Sequence, residues 1–355
     1  MIPRTNPQNT NQAEDTDQPE NTDQPGDWRS ALRQAITRPE ELLEILHLPK
    51  SRWLAGARLA AQQFPLKVPR GFVARMVAGD PHDSLLRQVL PLSGEMETVD
   101  GYSQDPVGDL EALNEPGLMQ KYSGRTLMIT TGACAVHCRY CFRRHFPYAE
   151  SHTGGSKLEP ALAAIAADTS LDEVILSGGD PLMLDDAQLT QLLDKIGRIE
   201  HIRRIRIHSR LPIVLPGRIT PQLTESLAAQ KQAVILVVHA NHPNEIDSLI
   251  DPAVAEALSR LHQAGIRLYN QSVLLRGVND DSDILANLSE ILFDHHVQPY
   301  YLHQLDQVQG AAHFNVPENQ ARLIARDLQA RLPGYLVPKF IREIQGEPSK
   351  TLINI

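Results

Sequence analysis

Cysteine is scarce: three in 355 residues, an odd number that excludes a disulfide framework and leaves those thiols for another task. Long apolar runs are missing as well. The longest covers only residues 161–167, against the roughly 20 residues needed to cross a bilayer, so no transmembrane helix is expected. There is no excess of positive charge: 34 Lys and Arg stand against 43 Asp and Glu, a net −9. That balance gives no footprint for nucleic acid or an anionic membrane surface. Residues 1–26 lack the apolar core of a secretory signal, hold Arg4 as their single base and repeat TDQP at 16–19 and 22–25. They are expected to form a disordered tail, and the protein is expected in the cytoplasm.

What is present is an ordinary globular composition, 42% hydrophobic, in a chain long enough for about two domains at roughly 150 residues each. Residues 27–121 read as a small helical subdomain with starts at Pro39, Ser51 and Asp80-Pro81, uninterrupted by strands. From residue 122 to 334 the rhythm becomes strand, turn, helix. Six strands are predicted, at RTLMITT, DEVILSGG, IRRIRIHSR, AVILVVHA, IRLYNQSVLL and VQPYYLHQL. The helices between them are predicted near 157–168, 185–199, 221–230, 252–264 and 282–294, with a last one at 317–332. Several strands are apolar on both faces, which predicts an α/β fold: six β-then-α units in a parallel sheet with helices outside, open or rolled toward a partial (β/α)6 barrel, and a site where strands end. Residues 335–355 form a C-terminal segment.

All three cysteines fall within eight residues, as Cys134, Cys138 and Cys141, just after the first of these strands. Thiolates suit zinc or an iron-sulfur cluster. A zinc site wants a fourth ligand, for which His137 or His145 is available; a four-iron cluster on three thiolates leaves one iron open for a substrate or cofactor. The spacing C-x3-C-x2-C, with Tyr140 before the last cysteine, resembles the signature of the radical S-adenosylmethionine (SAM) superfamily. That resemblance implies a [4Fe-4S] cluster whose open iron binds SAM and, once reduced, splits it to a 5′-deoxyadenosyl radical. SGGDP at the end of the second strand reads by itself as a tight turn. Within the superfamily, Gly178, Gly179 and Asp180 match the contact to the SAM amino group, and Ser209 and Gln271 occupy later strand ends that also touch SAM.

Beyond these motifs, CRYCFRRHFPYAE, SGGDPL, RIHSRLPIVLPGRIT, NQSVLLRGVND, YYLHQLDQVQGAAHF and REIQGEPSKT resemble lysine 2,3-aminomutases in correct order from about residue 30 onward. They resemble in particular a short bacterial subgroup that makes β-lysine for modification of elongation factor P. The resemblance implies pyridoxal 5′-phosphate (PLP) held as a Schiff base by Lys350, which should be partly desolvated, with further PLP contacts at Tyr122 and Arg125. It implies that Arg143 takes the carboxylate of L-lysine and that Asp306 and Glu343 receive its distant ammonium. It also implies an electron donor such as flavodoxin or ferredoxin, and a functional link to elongation factor P and its lysine ligase. Glu343 departs from the aspartate of better-known relatives, and the glycine-rich stretch before the PLP lysine shrinks to GEPS. Two other readings stand beside this one: an aminomutase for glutamate or arginine, of which the paired acids disfavour the anionic glutamate, and a non-catalytic zinc or iron-sulfur module.

Overall fold

Repeated strand-turn-helix text builds one curled sheet whose strands follow chain order, in a computed structural model that describes residues 28–115 and 117–355. The tail expected at residues 1–26 lies outside the described residues. The strands are β1 (Leu113–Glu115), β2 (Leu118–Tyr122), β3 (Arg125–Thr131), β4 (Glu173–Gly178) and β5 (Arg204–Ser209). They continue as β6 (Ala233–Val238), β7 (Arg267–Val273), β8 (Val297–His303), β9 (Lys339–Arg342) and β10 (Thr351–Leu352). From β3 to β9 every neighbour is parallel. An antiparallel ribbon edges each side, β1–β2–β3 and β9–β10.

Helices follow the parallel strands because the βα turns carry their starting signals. Asp185, Thr220, Asp251 and Asp281 each accept a backbone N–H from the first turn of the helix they cap, and Pro221 and Pro252 stand where no N–H is needed. The helices Leu158–Ala167, Asp186–Gly197, Pro221–Ala228, Pro252–Gln263, Ser282–Asp294 and Glu318–Arg331 fall within the predicted spans. Strand parity does the rest. On β5, Ile205, Ile207 and Ser209 are buried against the helices while Arg204, Arg206 and His208 turn inward.

Two expectations are corrected. The region before residue 122 is not strand-free, since β1 and β2 lie in it; they are short edge strands whose partner β3 comes from later in the chain, so no long alternating run announces them. The helix expected from Asp80-Pro81 begins only at Ser84, because Asp83 rather than Asp80 caps the N–H groups of Leu85 and Leu86. The N-terminal helices Pro39–Ile45 and Lys50–Gln63 form as read. Buried residues from Trp28 to Val297 make one contiguous core, so this layer packs on the barrel rather than standing apart. Among the described residues no helix is long and apolar enough to cross a membrane.

The layer's Glu95 grips the cysteine loop. Its carboxylate accepts from Arg139 Nε at 2.9 Å and from Arg144 Nη2 at 2.7 Å, and all three side chains are essentially without solvent. Both guanidinium groups also lie over the Phe64 ring. Glu95→Gln leaves two buried cations without a counter-charge and is expected to cost about 3–5 kcal/mol. Anaerobic urea denaturation measures it, and a loss below about 1 kcal/mol would contradict the anchoring role.

Candidate active site

The inward parity of the curled sheet encloses a cavity of about 370 Å³. Lys121 on β2 and Ser177 on β4 line it, as do His208 on β5, Gln271 on β7 and His303 on β8. Both edges of the sheet reach it, because Lys121 meets Glu343, just past β9, at 2.9 Å. Six of the residues named from the sequence line this one space: Tyr122, Arg125, Arg143, Asp306, Glu343 and Lys350. Gln271 makes a seventh.

Charges alternate along the wall. Arg143 Nε donates to Asp109 Oδ2 at 2.6 Å, and Lys121 Nζ reaches Asp109 at 2.5 Å and Glu343 at 2.9 Å. Lys350 Nζ then meets Glu343 Oε2 at 2.6 Å. Burial works against the charged form of Glu343, yet Lys350 and Lys121 hold it well below the usual carboxylate range. Burial likewise opposes ionisation of Asp109, and Arg143 and Lys121 overcome it. Asp306 differs: it stands outside this chain of pairs, and burial together with the nearby Glu343 pushes it up to about 7. Lys350, expected to be partly desolvated, is partly buried and ion-paired with Glu343.

Asp109 and Lys121 were not singled out from the sequence. They sit in a Pro/Gly-rich joint and on a short edge strand, and neither position carries a local signal. Three histidines were also missed, His303 buried and His208 and His239 partly so. Burial, followed by nearby positive charge, drives His208 well down, and His239 falls to about 3, so both rings are neutral. Nε2 of His303 is buried without a hydrogen-bond partner, a polar demand that a bound group could meet. With an amine at Lys350 and a guanidinium at Arg125 facing the same space, the donor set fits PLP.

Cys134, Cys138 and Cys141 lie in the loop after β3, all partly buried. Burial and the neighbouring Cys138 push Cys141 up to about 11, and burial with Asp180 drives Cys134 well above its ordinary value. Buried thiolates that repel one another call for cationic metal, which fits an iron-sulfur cluster. The histidines a zinc site would recruit are turned elsewhere: His137 Nδ1 meets the Pro65 carbonyl and its ring stacks on Phe64, while His145 Nε2 meets the Gln309 carbonyl. Among the described residues no three His, Cys, Asp or Glu side chains stand close enough to share one metal ion.

The GGD turn holds this loop. Gly179 N and Asp180 N donate to the Thr131 and Ala133 carbonyls at 2.7 and 2.8 Å. Gly178 has φ +111°, and a Cβ on Gly179 would collide with the Ala133 carbonyl oxygen, so the backbones approach as only glycine permits. The Asp180 carboxylate accepts from Leu182 N, Ser209 Oγ and Arg210 N at 2.8–3.0 Å, which turns it into the protein. Ser209 shares the outward parity of Ile205 and Ile207 and does not line the cavity; its hydroxyl serves Asp180 and Leu211 N.

Residues 128–288 match the family model described as the Radical SAM superfamily. The chain is 50% identical over 329 residues to the L-lysine 2,3-aminomutase of Escherichia coli (strain K12), covering 93% of this chain and 95% of that one. It is 44% identical over 326 residues to the L-lysine 2,3-aminomutase of Haemophilus influenzae, covering 92% and 95%. Against the L-lysine 2,3-aminomutase of Clostridium subterminale the identity is 33% over 326 residues, covering 92% and 77%.

Gly179→Ala forces the Ala133 carbonyl, and with it the Cys134 end of the loop, away from β4. After anaerobic reconstitution this variant is expected to lose most of its iron and sulfide while keeping its circular dichroism. Full loading would show that the close approach does not hold the loop.

Proposed function

The chain belongs to the L-lysine 2,3-aminomutase family of radical SAM enzymes, and from that premise we propose that its cavity converts L-lysine to β-lysine by moving the α-amino group to the neighbouring carbon. This is an isomerisation. The observation that carries it is the gathering, in one enclosed space, of an amine at Lys350, a guanidinium at Arg143, and two acids of which one, Asp306, stands outside the ion-pair chain.

The family's cofactors, a [4Fe-4S] cluster, SAM and PLP, supply when bound the adenosyl radical and the site on which the nitrogen migrates. Cys134, Cys138 and Cys141 hold the cluster, and the Gly178–Asp180 turn keeps their loop against β4. Neutral His208 and His239 add no positive charge to the cavity wall. Tyr122, stacked under Arg125 at 4.8 Å, is positioned with it to receive PLP.

Lysine brings a carboxylate at one end and an ammonium at the other. Arg143 meets the carboxylate with the part of its fork not given to Asp109 and Ser177. Asp306 takes the distant ammonium, and Glu343, held by Lys121 and Lys350, is the second acid beside it. An anionic side chain, as in glutamate, would instead face two acids, which makes glutamate the disfavoured substrate.

The finer assignments rest on the subgroup motifs quoted above: a flavodoxin or ferredoxin as reductant, β-lysine passed to the ligase that modifies elongation factor P, and a cytoplasmic location. The deciding experiment supplies the reconstituted protein, anaerobically, with SAM, PLP, dithionite and in turn lysine, arginine or glutamate. β-Lysine from lysine alone supports the proposal; turnover of glutamate or arginine in its place overturns it.

Two variants test the residue roles. Lys350→Ala is expected to lose the bound-PLP absorbance while retaining reductive cleavage of SAM, and an unchanged PLP spectrum contradicts the assignment. Asp306→Asn is expected to weaken lysine by about 3 kcal/mol, on the order of a hundredfold in KM. The sign of the pH dependence follows from the raised pKa of about 7. Below it Asp306 is protonated in the free enzyme and cannot pair, so the lysine KM should fall about tenfold from pH 6 to pH 8. Asp306→Asn should remove that inflection; its persistence in the variant would assign it to another group.

A further inference from the structure

Behind the cysteine loop, on the outer face of β5, lies a buried polar cluster that the amino shift does not use. Its centre is Arg210, which follows Ser209 and has a side chain only 6% exposed. Arg210 Nη2 donates to Gln88 Oε1 at 2.6 Å and to Glu245 Oε2 at 2.9 Å. Its other prong, Nη1, lies 2.7 Å from Cys138 Sγ. Glu245 has no exposed side-chain surface and also accepts from Asn241 N and Gln88 Nε2, at 2.9 and 3.0 Å. The contact singles out one thiol. Lys67, beside Cys134, spends its ammonium on the Cys134 carbonyl at 2.8 Å and not on sulfur.

Resting on the reading that the three cysteines carry a [4Fe-4S] cluster, we propose that Arg210 sets the cluster's reduction potential through a charge-assisted N–H···S hydrogen bond to Cys138, with Glu245 limiting the charge the cluster feels. A thiolate bound to iron keeps lone pairs that accept such a bond. Reduction adds one negative charge to the cluster, so a fixed cation at hydrogen-bond distance favours the reduced state over the oxidised one. Arginine does not lose its proton in proteins, and burial keeps salt from screening it. The carboxylate on the opposite prong opposes the same field. Arg210 is in this sense a positioning and tuning residue: it touches a ligand of the cluster, not the reacting atoms.

The test is an anaerobic redox titration followed by electron paramagnetic resonance of the reduced cluster, with iron and sulfide measured first in the unsubstituted protein. Absence of a cluster there overturns the underlying reading and this one with it. Given a cluster, Arg210→Gln is expected to lower the one-electron equilibrium constant for reduction at least tenfold, a shift of about 59 mV to more negative potential. Arg210→Lys, which keeps the charge but not the fork, is expected to fall between it and the unsubstituted protein. Glu245→Gln, nearly isosteric, should move the midpoint the other way. Opposite signs from the two ends of one cluster are not what a merely structural role produces. Unchanged midpoints in Arg210→Gln and Glu245→Gln at full iron content overturn the proposal. Where Arg210→Gln fails to load iron, Glu245→Gln decides: a shift to less negative potential supports the proposal, and no shift overturns it.

Discussion

Three thiols can act on one inorganic centre only if the loop that carries them holds its shape, and here that shape depends on a single buried carboxylate. Glu95 takes two guanidinium groups from the loop's own sequence, Arg139 and Arg144, in a place with essentially no solvent. A charge there is tolerable only with a partner, so the pairing also fixes where the loop runs. The opposite side is held by backbone, through the bonds of Gly179 and Asp180 to the Thr131 and Ala133 carbonyls. Phe64, under both arginines, ties the arrangement to the end of the helix Lys50–Gln63. The N-terminal layer therefore helps to shape the cysteine loop rather than standing as an appendage to it.

The cavity obeys the same rule with a different result. Arg143, Asp109, Lys121, Glu343 and Lys350 form a continuous alternation, three cations against two anions. Arg125, Arg206 and Lys339 also line the space, so its cations outnumber its acids. What is particular is Asp306: burial and the nearby Glu343 raise its pKa, and no cation in this chain of pairs is assigned to it. A bound ammonium supplies that partner, and this unpaired buried acid, rather than the net charge of the space, favours a cationic side chain.

Much of this was legible in the sequence, for local reasons. The six predicted strands and their helices carry their own periodicity and caps, and the cysteines carry their spacing. The roles proposed for Lys350, Arg143, Asp306 and Glu343 came only through resemblance, since a lysine five residues from Ile355 has no local signature of chemistry. Asp109 and Lys121 escaped both routes: what makes them important is a partner far along the chain, 234 residues away for Asp109 and Glu343, linked through Lys121. Ser209 was expected to touch SAM for standing at a strand end; its parity with Ile205 and Ile207 places it on the outer face, with its hydroxyl on Asp180 and Leu211 N. The same parity argument keeps Gln271 inside. Counting residues from the last buried aliphatic would have separated the two.

The two polar systems are carried by different parts of the fold. Lys121 on β2, the loop residues Asp109 and Arg143, and Glu343 and Lys350 after β9 build the charge chain around the cavity. Asp180, Ser209, Arg210, Glu245 and Gln88 build a second set, bonded to one another and to nearby backbone, with Arg210 reaching Cys138. Arg143 joins the two, because it begins the charge chain and stands on the cysteine loop two residues past Cys141. A redistribution of charge in the cavity therefore reaches the thiols through Arg143, while the second set can keep its own bonds.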